Sequence, residues 1–344
     1  MGGQVSRGVA IVGCGLIGRK RLQALGSGRL VACADTNLER AKALAAGRAD
    51  VLATTRWEDA VSHPDVDIVI VATTNDVLTP VSMGAVEAGK HVLVEKPGAR
   101  SVDELDRLIE ASARTGRLVR VGFNHRYHPA LQQAWQIVQS GALGPLMFIR
   151  GRYGHGGRVG YEKEWRSDPE MSGGGELIDQ GVHLIDLSGW FLGAFTRVDG
   201  VAATMFWQMP VDDNAFMTLR TEGGQCAFLH VSCSEWKNLF SFEIYGRDGK
   251  LALDGLGGSY GVERITWYRM RPEMGPPDTT SWEYPRGDQS WSIEFAEFVE
   301  DIRQGREPNP GLAEAKAALE VVEAIYRRSG YLSGSRLPTP DSRR

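Results

Sequence analysis

Residues 9–18 read VAIVGCGLIG, and the fold follows from how this stretch is parsed. Val9–Val12 is a compact apolar run of strand character. It ends in Gly13-x-Gly15-x-x-Gly18, and a helical pattern over 16–26 opens inside the glycines. A strand that turns through three spaced glycines into a helix is the first βα turn of a dinucleotide-binding domain. Gly13 permits the tight turn, Gly15 lets the backbone approach a pyrophosphate, and Gly18 lets helix and strand pack closely. The phosphates would rest on the helix N-terminus, so Leu16 and Ile17 join the candidate contacts through their N–H groups. A domain whose glycines serve packing alone would show the same spacing. What separates the two readings is the second strand, RLVACA at 29–34, which ends in Asp35. A carboxylate about twenty residues on is placed to hold a ribose diol and to repel a 2′-phosphate. Thr36 and Asn37 offer no cation, although Arg40 is near, so NAD is favoured over NADP.

Working outward, candidate strands at 8–13, 29–34, 67–72, 90–94 and 117–122, with a short one near 51–53, alternate with helical patterns at 16–26, 37–47, 78–88 and 101–115. Ser101 and Glu104 form a capping-box signature. This alternation predicts an α/β class, with an N-terminal Rossmann domain over 1–122 built on a doubly wound parallel sheet. After Gly122 the texture changes. A helix over 130–140 is followed by longer, aromatic, alternating segments at 147–154, 196–208, 214–221, 224–235, 239–254 and 264–270. TEGGQ (221–225) and GRDGK (246–250) are hairpin signals. RPEMGPPDTT (271–280) reads as a loop. One helix interrupts at about 175–191, and helices at 290–304 and 312–329 close the pattern. Residues 123–344 are therefore expected to form an α+β domain on a large, mostly antiparallel open sheet, serving substrate binding and oligomerisation.

Composition narrows the partners. The 344 residues carry a net charge of −4, with 42% hydrophobic and 24% charged residues, as in soluble globular proteins. No long basic run calls for nucleic acid or an anionic membrane. No apolar run approaches the ~18 residues of a membrane span, and VAIVG is too short for a secretory signal. Four cysteines without CxxC spacing read as reduced and cytoplasmic. MGGQVS fits a loose myristoylation pattern at Gly2. The terminal DSRR reads as a solvated end.

HVLVEKPGA (91–99) is an unusual end for a buried strand, because Glu95 and Lys96 need partners there. Lys96 falls at the carboxyl end of a parallel strand, the edge where ligands bind in doubly wound sheets. Further on, GGGELIDQGVHLIDLSGW (173–190) sets Asp179 and His183 four apart, on one helical face, with Gln180 beside them and apolar residues on the other faces. Gly181 in mid-helix is disfavoured by about 1 kcal/mol relative to Ala, which suggests the close approach of a nicotinamide or a substrate. If the second domain folds over the strand edge, Lys96, Asp179 and His183 meet. Alcohol oxidation needs a base for the hydroxyl proton and a cation near the oxygen. His183, Lys96 and an assisting Asp179 supply these roles, with Glu95 on the cofactor side or holding Lys96. A structural Lys96–Asp179 ion pair with a core His183 is the competing reading. Asp179, His183, His125 and His128 are also ligand types, but no metal motif appears, so no metal is expected. No G-x-S-x-G elbow supports serine hydrolysis.

The loop at 151–175 is glycine-rich, aromatic and basic, and it runs into this helix. Tyr161 and Trp165, with Tyr153, could stack on a sugar ring. Arg166, with Arg158 and Lys163, could meet phosphate or carboxylate. Asn214, with Asp212 and Asp213, could bind hydroxyls or cap a turn.

GCGLIG, ATTN (72–75), EKPGA (95–99), GFNHRYHP (122–129) and GGGELIDQGVHLID (173–186), in this order, resemble the Gfo/Idh/MocA oxidoreductases, the glucose–fructose oxidoreductase and inositol dehydrogenase relatives. The resemblance continues through AEAKAALEVVEAIYRRS (313–329). It implies a nicotinamide cofactor held also by Thr73, Thr74, Asn75, Glu95, Lys96 and Asn124, and the same catalytic positions, Lys96, Asp179 and His183. It implies a cis Lys96–Pro97 bond, a homodimer or homotetramer packed through the C-terminal sheets, and use of a Trp-Arg pair such as Trp165–Arg166 at cofactor or substrate. Arg126, inside the GFNHRYHP motif, joins the substrate candidates. The sequence departs where many relatives place a His soon after the Asn of TPN; here the stretch is TTNDVLTP (73–80). The expected activity is hydride transfer between NAD and a secondary alcohol of a sugar, sugar nucleotide or cyclitol. An NAD-using glycosidase of the same family and a non-catalytic NAD-binding regulator are the alternatives.

Overall fold

The computed structural model describes residues 7–331, so the Gly2 pattern and the DSRR tail lie outside the described residues. The described residues divide into two compact units, 7–127 with 289–316 and 128–288 with 317–331. Residues 123–127 and the helix after residue 289 belong with the first unit.

The first unit runs β1 (Gly8–Val12), α1 (Leu16–Gln23), β2 (Arg29–Ala34), α2 (Leu38–Ala45), β3 (Leu52–Thr54), α3 (Trp57–Val61), β4 (Ile68–Val71), α4 (Asn75–Glu87), β5 (His91–Glu95), α5 (Val102–Thr115) and β6 (Val119–Gly122). Its six strands are ordered β3-β2-β1-β4-β5-β6, and each pair is parallel. β1 and β4 are buried along their whole length, which explains their unbroken apolar runs. The capping box forms with a twist: Ser101 Oγ accepts the Glu104 N–H at 3.2 Å, while Glu104 reaches back to the N–H of Arg100 at 3.0 Å. α5 ends at Gly116 in the left-handed region, φ +64°, where glycine carries no Cβ penalty. The five-residue α3 was not visible in the periodicity, being barely one turn long.

In the second unit follow α6 (Pro129–Gln139), β7 (Leu146–Gly154), α7 (Pro169–Ser172), α8 (Val182–Leu192), β8 (Phe195–Ala203), β9 (Asn214–Thr221), β10 (Cys226–Ser232), β11 (Leu239–Gly246), β12 (Gly249–Asp254), β13 (Glu263–Arg269) and β14 (Asp278–Tyr284). The sheet order is β14-β13-β12-β11-β7-β10-β9-β8. It is antiparallel except for β10 beside β7, which is parallel. β14 overlaps the stretch read as a loop. It is an edge strand with a polar outward face, which weakens its alternation. α9 (Ser290–Gln304) lies in the first unit, and α10 (Leu312–Ser329) starts there and ends in the second. No helix among the described residues is long and apolar enough to cross a membrane.

Candidate active site

Each unit carries part of the chemistry. In the first, strand register sets one common carboxyl edge: Val12 pairs with Ala34 and with Val71, Val71 with Val94, and Glu95 with Gly122. Gly13, Asp35, Thr73, Lys96 and Asn124 follow these ends. Gly13 has φ +93°, and a Cβ there would run into the Ala72 carbonyl. Gly15 caps α1 with no side-chain bond to its free N–H groups and no acidic residue in the first turn. A Cβ on Gly15 would meet nothing within 4 Å. Such an uncapped, uncharged helix start is suited to a pyrophosphate. Asp35 accepts the Cys14 N–H at 2.8 Å with one oxygen and the Asn37 N–H at 2.8 Å with the other. The carboxylate is thereby fixed at the strand end, its remaining lone pairs suited to a ribose diol. The residues present fit NAD.

Around this edge, Asn75 opens α4 and is buried. Thr74 Oγ1 donates to Asp76 at 2.6 Å, and Thr73 Oγ1 to the Thr74 carbonyl at 3.0 Å. Asn124 Nδ2 donates to Ser290 Oγ at 2.8 Å. Two of the expected site residues are engaged by partners within the same unit. Glu95 accepts from Nε of Arg21 at 2.6 Å, and Arg21 donates Nη1 to Glu294 at 2.6 Å. Arg21 is fully buried, under the ring of Trp291 at 4.4 Å. The Glu95 carboxylate, through Arg21, ties β5 to α1 and α9. Gly122 makes room: a Cβ there would stand 2.8 Å from Arg21 Nη2. Arg126 is likewise buried, with Nη1 donating to Asn309 at 2.7 Å, which ties it to the loop before α10. Lys96 is half-buried at the end of β5, and its peptide to Pro97 is cis.

In the second unit, the predicted helix is divided. Leu177–Gly181 is a π-helical turn, and α8 begins after it. π turns recur at functional sites. Between residues 174 and 188 only Asp179 and Gln180 are half-exposed; the rest are buried. Asp179 Oδ2 accepts from Arg166 Nε at 3.0 Å. The Arg166 guanidinium lies 4.5 Å over the Trp165 ring, and Asp179 raises its pKa. His183 is 4% exposed, with the Tyr153 ring edge-on at 6.2 Å. Gly181 is explained differently from the expectation: a Cβ would meet Leu177 at 2.9 Å and Val231 at 3.5 Å. The sheet, through β10, is what comes close.

Asp212 was read as a hydroxyl binder or a turn cap, and it is a cap of unusual reach. It is fully buried. Its carboxylate accepts the N–H groups of Gly175 at 2.9 Å and Leu177 at 2.8 Å, with the Tyr326 hydroxyl at 2.7 Å. Burial pushes its pKa up to about 6 despite those donors. Asn214 is a buried amide: Nδ2 donates to Asp213 and Ser234, and Oδ1 faces His230 at 3.0 Å. Tyr161 is also buried, packed with Met209, Val211, Cys233 and Trp207, so its ring is core rather than an open stacking face.

The sequence reading passed over Glu176. It is 1% exposed, and its charge partner is His155, at 3.6 Å. Burial raises the Glu176 pKa; burial alone would lower that of His155, but Glu176 and Asp179 outweigh it and raise it. The signal was present as an acidic residue at a buried position of an apolar helix. Among the described residues no group of three or more His, Cys, Asp or Glu is arranged to hold a metal.

A parallel sheet in this strand order, with a glycine turn on its first strand and a carboxylate ending its second, defines a dinucleotide-binding domain. Residues 7–123 match the oxidoreductase family, NAD-binding Rossmann fold, and residues 131–252 match the GFO/IDH/MocA C-terminal domain. The chain belongs to the Gfo/Idh/MocA oxidoreductase family, and its first unit is an NAD-binding Rossmann domain. It is similar to levoglucosan dehydrogenase of Pseudarthrobacter phenanthrenivorans, 24% identical over 330 residues and 83% of each chain. Inositol 2-dehydrogenase 2 of Saccharopolyspora erythraea is 28% identical over 229 residues, 63% of each chain. A solved levoglucosan dehydrogenase in complex with NADH shares the fold, with a TM-score of 0.85 at 22% identity over 94% of this chain and 97% of that one.

Proposed function

We propose that the enzyme transfers hydride between NAD and a secondary alcohol of an uncharged sugar or cyclitol. The observation that carries this reading is the Arg166–Asp179 pair. Two of the three loop cations that hinted at phosphorylated or acidic substrates are paired with carboxylates: Arg166 with Asp179 at 3.0 Å and Arg158 with Glu164 at 2.7 Å. What remains suits hydroxyls, in keeping with relatives named for levoglucosan and inositol. When bound, NAD supplies the hydride acceptor. His183 takes the hydroxyl proton, Lys96 stabilises negative charge growing on the oxygen, and Asp179, oriented by Arg166, holds a neighbouring hydroxyl. Gly15, Leu16, Ile17 and Asp35 hold the dinucleotide.

The outer face of the eight-stranded sheet supports a homodimer or homotetramer. Phe148, Tyr245, Phe216 and His230 share that face with Phe228, which is 55% exposed. Phe228→Glu is expected to shift the sedimenting mass toward the monomer. Four free thiols support a reducing, cytoplasmic setting.

The test is a panel of neutral sugars, cyclitols, sugar phosphates and sugar nucleotides with purified protein and NAD, read at the NADH absorbance band. Turnover confined to neutral polyols supports the reading. Sugar release without net NADH would replace it by the glycosidase. NAD binding with neither would leave the regulator. Lys96→Ala is expected to abolish turnover while NADH still binds.

A further inference from the structure

We propose that Glu176 and His155 are positioning residues for the reaction: Glu176 keeps a proton so that Asp179, three residues on, keeps its charge and its bond to Arg166, and His155 governs the release of that proton. This rests on the dehydrogenase reading above and deepens it.

Glu176 immediately precedes the π turn, and its side chain is fully buried. Among the described residues no hydrogen-bond donor reaches either of its carboxyl oxygens. The nearby donors are taken. Gly175 and Leu177, on either side of it, give their N–H groups to the Asp212 carboxylate at 2.9 and 2.8 Å, and the N–H of Glu176 itself goes to the Asp212 carbonyl at 2.9 Å. Two buried carboxyls thus lie together with opposite provision. Asp212 has three donors and is still pushed up by burial to about 6. Glu176 has none of these, and burial raises its pKa; His155 opposes this, and the charges of Asp179 and Asp212 add to it.

His155 follows the end of β7 and is fixed by its main chain. Its N–H donates to the Ser232 carbonyl at 2.9 Å, and its carbonyl accepts the Glu235 N–H at 3.0 Å. Its Nδ1 accepts the Gly157 N–H at 3.0 Å, so the ring proton is on Nε2, which faces Glu176 Oε2 at 3.6 Å. The pair then has one further proton to place. On Nδ1 it would break the Gly157 bond; on Glu176 it removes a charge buried without donors. The geometry therefore puts it on Glu176. His155 keeps 20% of its side chain exposed, so the imidazole is the member of the pair in reach of solvent.

Asp179 has the opposite setting, being half-exposed and bonded by Arg166 Nε at 3.0 Å. Two carboxyls provided for so differently divide the roles, one neutral and one charged. The other titratable groups that feel Glu176 are Tyr153 on β7, Tyr161 in the loop before α7, Cys233 after β10 and Tyr260 before β13. Each is kept neutral, by burial first and by Glu176 among the charges. Loss of the Glu176 proton would set a second negative charge beside Asp179 and compete with it for Arg166.

The test uses the whole protein. Infrared difference spectra of the wild type against Glu176→Gln are expected to show a buried protonated carboxyl at neutral pH that the variant lacks. With a polyol that turns over, kcat/KM of the wild type should fall about ten-fold on the alkaline side as that proton is lost, the scale of one uncompensated charge nearby. Glu176→Gln stays neutral and should not show this fall. His155→Phe removes the group that favours the carboxylate, so the fall should move to higher pH. Thermal unfolding shows whether both variants are folded. A purely structural pair would lower Tm in the variants and leave the pH profiles superimposable, which would overturn the proposal. So would a wild type without the protonated-carboxyl band. The infrared reading needs no substrate. A band that behaves as expected in a protein that yields NADH from no polyol would keep the proton on Glu176 and overturn the dehydrogenase reading.

Discussion

Arg166 donates Nε to Oδ2 of Asp179 across 3.0 Å, joining the loop before α7 to the π turn before α8. The pair is half-exposed, so its own contribution to stability is small; its value lies in orientation. Removing the guanidinium by Arg166→Met is expected to lower kcat/KM by about 10–100-fold, the range for a lost orienting contact. Asp179→Asn should do the same, and the double variant should be no worse than the worse single one, because both act through one contact. Additive losses would separate the two residues.

Asp212 offers a sharper test of positioning. Its carboxylate closes the start of the turn that carries Asp179, through Gly175 and Leu177. Asp212→Ala leaves the buried Leu177 N–H and the Tyr326 hydroxyl without an acceptor, each at about 1–3 kcal/mol, while the Gly175 N–H keeps the Tyr326 oxygen at 3.1 Å. The expected result is a fall in Tm of the whole protein and loss of turnover, while NADH still binds the first unit. Retained activity with only a lower Tm would mark Asp212 as purely structural.

How much of this was legible depended on whether the signal was local. The glycine turn, Asp35 and the strand–helix alternation are patterns of adjacent residues, and the first sheet formed as read. The Ser101–Glu104 box is local too, and it formed. The partner of Glu95, Arg21, was not legible because it is 74 positions away, and no periodicity reports that distance. The distant partners of Asn214 and Arg126, Ser234 and Asn309, were hidden for the same reason. Gly181 was understood as room for a ligand, when the room is filled by Leu177 and Val231. Glu176 was passed over because the apolar pattern around it dominated.

Asp35 governs the choice of dinucleotide. Its carboxylate is pinned by the N–H groups of Cys14 and Asn37, so it cannot swing away from an added 2′-phosphate. Asp35→Ser keeps a hydrogen-bonding group and removes the charge. NAD should bind about ten-fold more weakly and NADP more tightly, a change of about 100-fold in their ratio from one lost diol contact and one lost repulsion. Fluorescence titration with NADH and NADPH measures both. An unchanged ratio would move the discrimination to another residue, with Arg40 the nearest cation in sequence.

His91 makes acid stability testable without a substrate. Its Nδ1 accepts the Leu118 N–H at 3.1 Å, joining the start of β5 to the chain before β6. Burial first, then the positive charges of Arg117 and Arg7, lower its pKa from 6.5 to about 4. The folded protein therefore keeps the neutral imidazole where the unfolded chain takes up a proton. The stability His91 provides is complete above pH 6.5 and is lost as pH falls through the window down to about 4. His91→Gln retains an acceptor for Leu118 and does not titrate. Thermal unfolding of both proteins across that window should show the wild type losing Tm faster on acidification, since the carboxylates titrate alike in both. Parallel curves would mean that His91 is protonated in the fold as readily as in the open chain.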